Sequence, residues 1–267
     1  LKRLYLDFMK LLVLFYLINF SGFTDENKLI LTLISKTSTN NKEFKAVDNF
    51  SNLYFIKNNE LIKISEKDTF YYRNNFYSNI TSLDVKNPLR IQLLYEDFNS
   101  LLVLDNKLSE ISKVNFNFIE PTKTVSKVSA SSDNNIWIYN ELNSKLELFN
   151  YINQKSKVIN YEISGEMISL VSNYKYCWVL TDNHIFKFNY FGSLISKLKV
   201  TKIQQIENFN NTLIFKRDNQ LYYYSEDLLT ENKFDLGDLL IKDFFVTNQS
   251  LYIYDSEHFI KYQIQKN

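Results

Sequence analysis

Two histidines, one cysteine, two tryptophans and a few paired acids are the side chains of this 267-residue sequence whose types could do chemistry. His184 and His258 are candidate general bases or metal ligands. Cys177 would be a nucleophile if ionised, and Trp137 and Trp178 could wall a ligand cage. Glu96-Asp97, Glu226-Asp227 and Asp235 with Asp238 offer neighbouring carboxylates, the groups that share acid–base work or ligate calcium. No Gly-rich phosphate loop, H-E-x-x-H, G-x-S-x-G or calcium-loop spacing accompanies them. Their meaning therefore depends on which elements carry them.

One element recurs six times: a four-residue β-type run, a polar turn and a second β-type run. The first runs are Leu53–Ile56, Ile91–Leu94, Ile136–Tyr139, Cys177–Leu180, Leu213–Lys216 and Leu251–Tyr254, paired with Leu61–Ile64, Leu101–Leu104, Leu146–Phe149, Ile185–Phe188, Leu221–Tyr224 and Phe259–Tyr262. Their starts at 53, 91, 136, 177, 213 and 251 are separated by 38, 45, 41, 36 and 38 residues. Another β-type run precedes each copy, and a weaker one follows most of them. Four short strands per unit of about 40 residues predict a β-propeller blade. The first runs are apolar on both faces, with Leu53, Ile136 and Leu251 on one and Tyr54, Trp137 and Tyr252 on the other. A blade covered by neighbours on both sides needs that pattern, whereas an open sheet alternates apolar with polar.

The reading is thus an all-β, six-bladed propeller with four antiparallel strands per blade. The last copy reaches the end of the sequence with only three strands, at about 241–247, 251–254 and 259–264. Leu29–Ile34 is otherwise unassigned and is predicted to close the ring as the missing fourth strand, leaving no open edge. The polar stretch Ser35–Lys42 reads as a loop. With only 4 Gly in the chain, Asn is expected to build the turns, at Asn58-Asn59, Asn74-Asn75, Asn134-Asn135, Asp182-Asn183, Asn210-Asn211 and Asp218-Asn219. Asn tolerates positive φ and bonds its own backbone.

Placed on this repeat, the chemical candidates dissolve. His184 and His258 each precede the third strand of a different blade, so the ring keeps them apart, and they read as turn residues. Cys177 aligns with Leu53, Ile136 and Leu251 and reads as a buried small hydrophobe. Trp137 and Trp178 align with Tyr54 and Tyr252 and read as packing between blades. The acidic pairs lie in or beside turns. No residue is assigned a catalytic, cofactor-binding or metal-ligating role, and no cofactor is expected. A propeller can still gather one acid or Asn from each of several blades around its channel, a site with no local motif.

Charge and termini bound the partners. Lys+Arg number 31 and Asp+Glu 30, a net charge of +1, which lacks the footprint of a nucleic-acid binder. Lys10, the apolar run Leu11–Phe20, then Ser21-Gly22 form a signal-peptide pattern over residues 1–22, too short to span a bilayer. Met9 is a candidate initiator. The expected mature chain, 23–267, is one propeller domain with a net charge of −1, because Lys2, Arg3, Lys10 and Asp7 leave with the leader. Without a cysteine after the apolar run, no lipoprotein anchor is expected. Localisation reads as periplasmic.

The stretch Asn135–Phe149 resembles the blades of six-bladed NHL and YncE-like propellers. Asn87–Leu108, with Asn52–Leu61 and the Lys-, Asn- and Ile-rich composition, resembles small exported propeller proteins of Bacteroidota. The resemblance implies a non-catalytic envelope protein, with a place beside the outer-membrane translocon of the type IX secretion system as one option. It supplies no catalytic residues. The expectation is a protein-binding scaffold or envelope-complex subunit. The competing reading is a lactonase-like propeller hydrolase with a metal in its channel, and a third is a glycan or peptide binder using exposed aromatics. A plugged channel mouth with apolar side chains on its face would favour the first; three or four converging oxygens would favour the second.

Overall fold

The computed structural model describes residues 28–39, 43–225 and 230–266, folded as six four-stranded antiparallel sheets set around a ring. The first strand, β1 (Leu29–Ser38), stands apart in sequence from the blade it completes. Blade 1 holds β2 (Glu43–Val47), β3 (Leu53–Lys57), β4 (Glu60–Ile64) and β5 (Thr69–Arg73), and blade 2 holds β6 (Ser82–Asp84), β7 (Ile91–Tyr95), β8 (Ser100–Leu104) and β9 (Glu110–Asn115). Blade 3 holds β10 (Val125–Ala130), β11 (Asn135–Asn140), β12 (Lys145–Asn150) and β13 (Lys155–Glu162), and blade 4 holds β14 (Met167–Ser172), β15 (Tyr176–Thr181), β16 (His184–Asn189) and β17 (Leu194–Lys199). Blade 5 holds β18 (Ile203–Phe209), β19 (Thr212–Arg217), β20 (Gln220–Tyr224) and β21 (Glu231–Lys233). Blade 6 holds β22 (Asp243–Val246), β23 (Ser250–Tyr254), β24 (His258–Lys266) and, on its outside, β1.

The predicted closure is therefore present: β1 pairs antiparallel with β24 from Leu29↔Lys266 to Ser38↔His258. It also runs further than expected. Ser35–Ser38 lie in the ladder rather than in a loop, because an outermost strand tolerates polar, solvent-facing side chains on a hydrogen-bonded backbone. Residues 40–42 and the expected leader, 1–22, lie outside the described residues. Among the described residues no helix is long and apolar enough to cross a membrane.

The core is a set of layers between blades, as the two-faced apolar strands require. Ile136 and Ile138 of blade 3 pack with Leu94, Leu101 and Val103 of blade 2. On the other face of the same strand, Trp137 and Tyr139 pack with Cys177, Val179 and Phe188 of blade 4. Trp178 in turn faces Ile206, Leu213 and Phe215 of blade 5. Both tryptophans are thus inter-blade wedges, and full burial pushes the Cys177 thiol far up, which removes its thiolate.

Asn builds the turns in two different ways. Asn58-Asn59 and Asp218-Asn219 place both residues at positive φ, the two-residue hairpin geometry usually given to Gly, and Asn210 does so alone. Asn74 instead accepts hydrogen bonds from the N–H groups of Phe76 and Tyr77, and Asp182 accepts from Glu166 N. Asn134 accepts from the Tyr151 hydroxyl.

Candidate functional site: the channel and its mouth

The first strand of each blade lines the axis, so the channel is built from β2, β6, β10, β14, β18 and β22. Ladder register fixes one equivalent position per blade on these strands. Ala46, Asp84, Ser129, Val171, Glu207 and Phe245 pair with Tyr54, Gln92, Trp137, Trp178, Ile214 and Tyr252, each the second residue of its blade's recurring run. Two of these six are acids, Asp84 in blade 2 and Glu207 in the opposite blade 5.

Lys86 stands two residues beyond Asp84 and reaches across the axis. Its Nζ donates to Asn208 Oδ1 of blade 5 at 2.8 Å and to the Ser172 carbonyl of blade 4 at 3.3 Å, and it lies 3.7 Å from Glu207 Oε2. The side chain thereby bars the channel. On one side lies a mouth cup of about 490 Å³, and on the other an inner chamber of about 190 Å³; Lys86 lines both.

The two acids have different work. Asp84 is a staple: its Oδ2 accepts from Ser129 Oγ at 3.1 Å and from Ala130 N at 2.9 Å, and its Oδ1 accepts from Lys86 N at 2.8 Å. Ser129 meets Ser172 at 2.8 Å, and Ser172 donates to the Ala130 carbonyl, so the chain of bonds ties blades 2, 3 and 4 together. Gln205 donates to the Phe244 carbonyl at 2.8 Å and joins blade 5 to blade 6. Glu207 has Lys86 as its cationic neighbour. Burial pushes its carboxyl up to about 7, with Lys86 opposing and the charges of Asp84 and Asp243 reinforcing the rise. Burial raises Asp243 as well, against hydrogen bonds from Gln205 and Phe244 N and the charges of Lys216 and Lys45.

This arrangement makes a prediction about stability. The folded chain holds the Glu207 proton more tightly than the unfolded chain does. That contribution is present in full below the ordinary value of 4.5 and is lost as pH rises through about 7. Wild-type stability is expected to fall relative to Glu207→Gln across this window, by up to about 3 kcal/mol, since each unit corresponds to about 1.4 kcal/mol. Denaturant unfolding of both proteins at several pH values measures it, and parallel curves would refute it.

The sequence candidates lie elsewhere. His184 and His258 open β16 and β24, beside the second-to-third-strand turns and so on the face away from the mouth cup. There His184 Nδ1 meets Asn183 Oδ1, and His258 Nδ1 lies 3.2 Å from Asp255 Oδ2. Glu96-Asp97 form a single 3-10 turn, Asp235 and Asp238 are exposed, and Glu226-Asp227 lie outside the described residues. Among the described residues, no group of three or more His, Cys, Asp or Glu side chains is placed to hold a metal ion. What the sequence reading missed is the Asp84–Lys86–Glu207 constellation and the Asn side chains around the mouth. A signal for the latter exists: Asn49, Asn87 and Asn173 stand four residues before Leu53, Ile91 and Cys177, and Asn210 and Asn248 stand three before Leu213 and Leu251.

Strand direction assigns the loops to two faces. First-to-second and third-to-fourth turns share the face of the cup, and that face carries exposed Phe50, Leu89, Ile152, Tyr174, Tyr190 and Phe191. The opposite face carries Phe76, Phe118, Leu142 and Leu240. Large exposed apolar side chains gathered on one face mark interaction surfaces.

No family model and no curated protein matches the chain, whereas many solved structures share its fold. A catalytically inactive His-to-Ala variant of virginiamycin B lyase from Staphylococcus aureus, solved with quinupristin, superposes with a TM-score of 0.60 at 10% identity, over 88% of this chain and 99% of that one. A member of the DUF4221 family from Bacteroides vulgatus gives 0.56 at 9% identity, over 91% of this chain and 100% of that one. PorZ from Porphyromonas gingivalis, described as an essential bacterial surface component of the type-IX secretion system, gives 0.51 at 11% identity, over 90% of this chain but 39% of that one. The similarity establishes the β-propeller fold; an enzyme and a secretion-system component both stand among the neighbours.

Proposed function

We propose that this protein is a non-catalytic β-propeller of the periplasm that holds a protein partner on the face of its channel mouth. The observation that carries this reading is a barred channel on an apolar face. Lys86 closes the passage, and Phe50, Leu89, Ile152, Tyr190 and Phe191 stand exposed on loops of the same face. The chemistry of the channel agrees. Glu207 already faces the Lys86 ammonium at 3.7 Å, and Asp84 is engaged by three donors. The lyase among the neighbours is inactivated by loss of a histidine; here both histidines lie on the face away from the cup. The leader-like residues 1–22 support export. PorZ, a bacterial surface component of the type-IX secretion system, is a precedent for such a ring at a cell surface, and a place in a secretion translocon follows as the finer version of this reading.

The test is tagged purification from the native envelope, with a Leu89→Asp, Phe191→Asp variant in parallel. We expect a protein that co-purifies with the wild type in fixed proportion and is lost, at unchanged melting temperature, from the variant. A clean monomer with hydrolytic activity would overturn the scaffold, and a partner retained by the variant would move it to another surface.

A further inference from the structure

The mouth cup has a composition that protein docking does not explain. Nearly half of its lining residues are asparagines contributed by different blades, and they stand beside Lys86, Lys175 and one tyrosine. Some of the amides hold the ring together. Asn208 accepts from Lys86, Asn173 donates to the Asn210 carbonyl and to Asn211 Oδ1, and Asn49 Oδ1 accepts from Asn248 N at 2.9 Å. Others are left over. Among the described residues, nothing accepts from the Nδ2 groups of Asn49 or Asn87, and the Asn248 side chain engages no protein group. Tyr174 is among the residues lining the cup and is 84% exposed. A large aromatic side chain held in water at a concave site is poised to be covered by a ligand.

We infer that this cup is a binding site for a neutral oligosaccharide, with one sugar ring lying on Tyr174 and its hydroxyls bonded by Asn49, Asn87 and Asn248. A carboxamide both donates and accepts, which matches a pair of neighbouring hydroxyls, each also able to do both. A pyranose presents an apolar C–H face for an aromatic ring and a hydroxyl edge for amides, and the cup offers the two kinds of surface side by side. Lys86 is already bonded to Asn208 and Ser172 and faced by Glu207, so beside Asn49, Asn87 and Asn248 a phosphate or carboxylate finds no unengaged cation; the other lining lysine, Lys175, is exposed next to Tyr174. A volume of about 490 Å³ falls within the usual range of ligand pockets. This inference goes beyond the scaffold reading and stands or falls apart from it, because its test leaves Leu89 and Phe191 intact.

The experiment is an array of cello-, chito-, manno- and malto-oligosaccharides of two to six units, printed beside a library of hexapeptides and probed with the full chain. Calorimetry on the strongest hit follows. We expect saturable binding to at least one oligosaccharide series. Tyr174→Ala should weaken it about tenfold or more, and Asn248→Ala several-fold, as expected for one lost stacking surface and one or two lost hydrogen bonds. Tyr71→Ala, an exposed aromatic on β5 at the outer rim, serves as the control and should bind as wild type. The side chains of Tyr174 and Asn248 are exposed, so all three variants should melt with the wild type. No retained oligosaccharide at about 1 mM, retention of peptides alone, or oligosaccharide binding indifferent to Tyr174 and Asn248 would overturn the proposal.

Discussion

A chain that begins at Thr39 is expected to lose its cooperative unfolding transition, and a synthetic peptide of Leu29–Ser38 added in trans is expected to restore it. β1 is the only strand of blade 6 that comes from the other end of the sequence, and it pairs along the whole length of β24. Each net backbone hydrogen bond is worth about 1 kcal/mol, so a ladder of this length rivals the 5–15 kcal/mol that holds a typical domain together. The strand also carries its own anchors. Leu29 is buried with Ile214, Tyr223 and Ile260 at the junction of blades 5 and 6, and its N–H donates to Tyr223 Oη at 3.1 Å. At the other end Thr39 donates to the Glu257 carbonyl from both its N–H and its hydroxyl. Without β1, β24 becomes an unprotected edge bearing Phe259, Ile260, Tyr262 and Ile264, which invites association between copies. Circular dichroism melts and light scattering on the truncated chain, with and without peptide, measure both effects. An unchanged melting temperature would show that the ring closes without its borrowed strand.

The closing strand was legible because the repeat left a vacancy. Once three strands were counted in the last blade, Leu29–Ile34 was the β-type run without a place. The extension through Ser35–Ser38 was not legible, because Ser-Lys-Thr-Ser carries a strand only when a partner such as β24 offers the ladder. The second strands were the plainest signal in the chain, since two packed faces leave no polar alternation to confuse. The channel constellation failed for a reason of counting. The equivalent positions Ala46, Asp84 and Ser129 lie seven residues before Leu53, Ile91 and Ile136, but Val171, Glu207 and Phe245 lie six before Cys177, Leu213 and Leu251. The inner turn is one residue shorter in the last three blades, so any fixed offset separates Asp84 from Glu207. Lys86 is further hidden: lysines in turns are ordinarily solvated, and only the closed ring shows this one bridging opposite blades.

Breaking the buried pair between Lys123 and Glu147 is expected to cost about 3–5 kcal/mol for either single truncation, a large share of the stability available. Lys123 and Glu147 are 2% and 1% exposed, with Nζ 2.8 Å from Oε2. Glu147 Oε1 accepts from Asn140 Nδ2 at 2.9 Å, and the Asn140 carbonyl oxygen of the side chain accepts from Thr124 N at 3.1 Å. One residue later Val125 N donates to Asn99 Oδ1, and Asn99 in turn donates to the Lys123 carbonyl at 2.6 Å. The pair therefore pins the entry to blade 3, between the sheets of blades 2 and 3. Removing one charge strands the other where water cannot reach it. Replacing both, as Lys123→Met with Glu147→Leu, should recover most of the loss, because two apolar side chains carry no desolvation penalty. Acidity supplies an independent readout. Burial alone would raise the Glu147 carboxyl, but the Lys123 ammonium 2.8 Å away and the hydrogen bond from Asn140 hold it below the ordinary carboxylate range. Its contribution is then present above that range and is lost as pH falls through the lowered value. The wild type should show an acid-unfolding step that the double variant lacks. Single variants within about 1 kcal/mol of wild type, or a double variant no better than the singles, would mean that the entry to blade 3 is held by Asn99 and Asn140 without help from the charges.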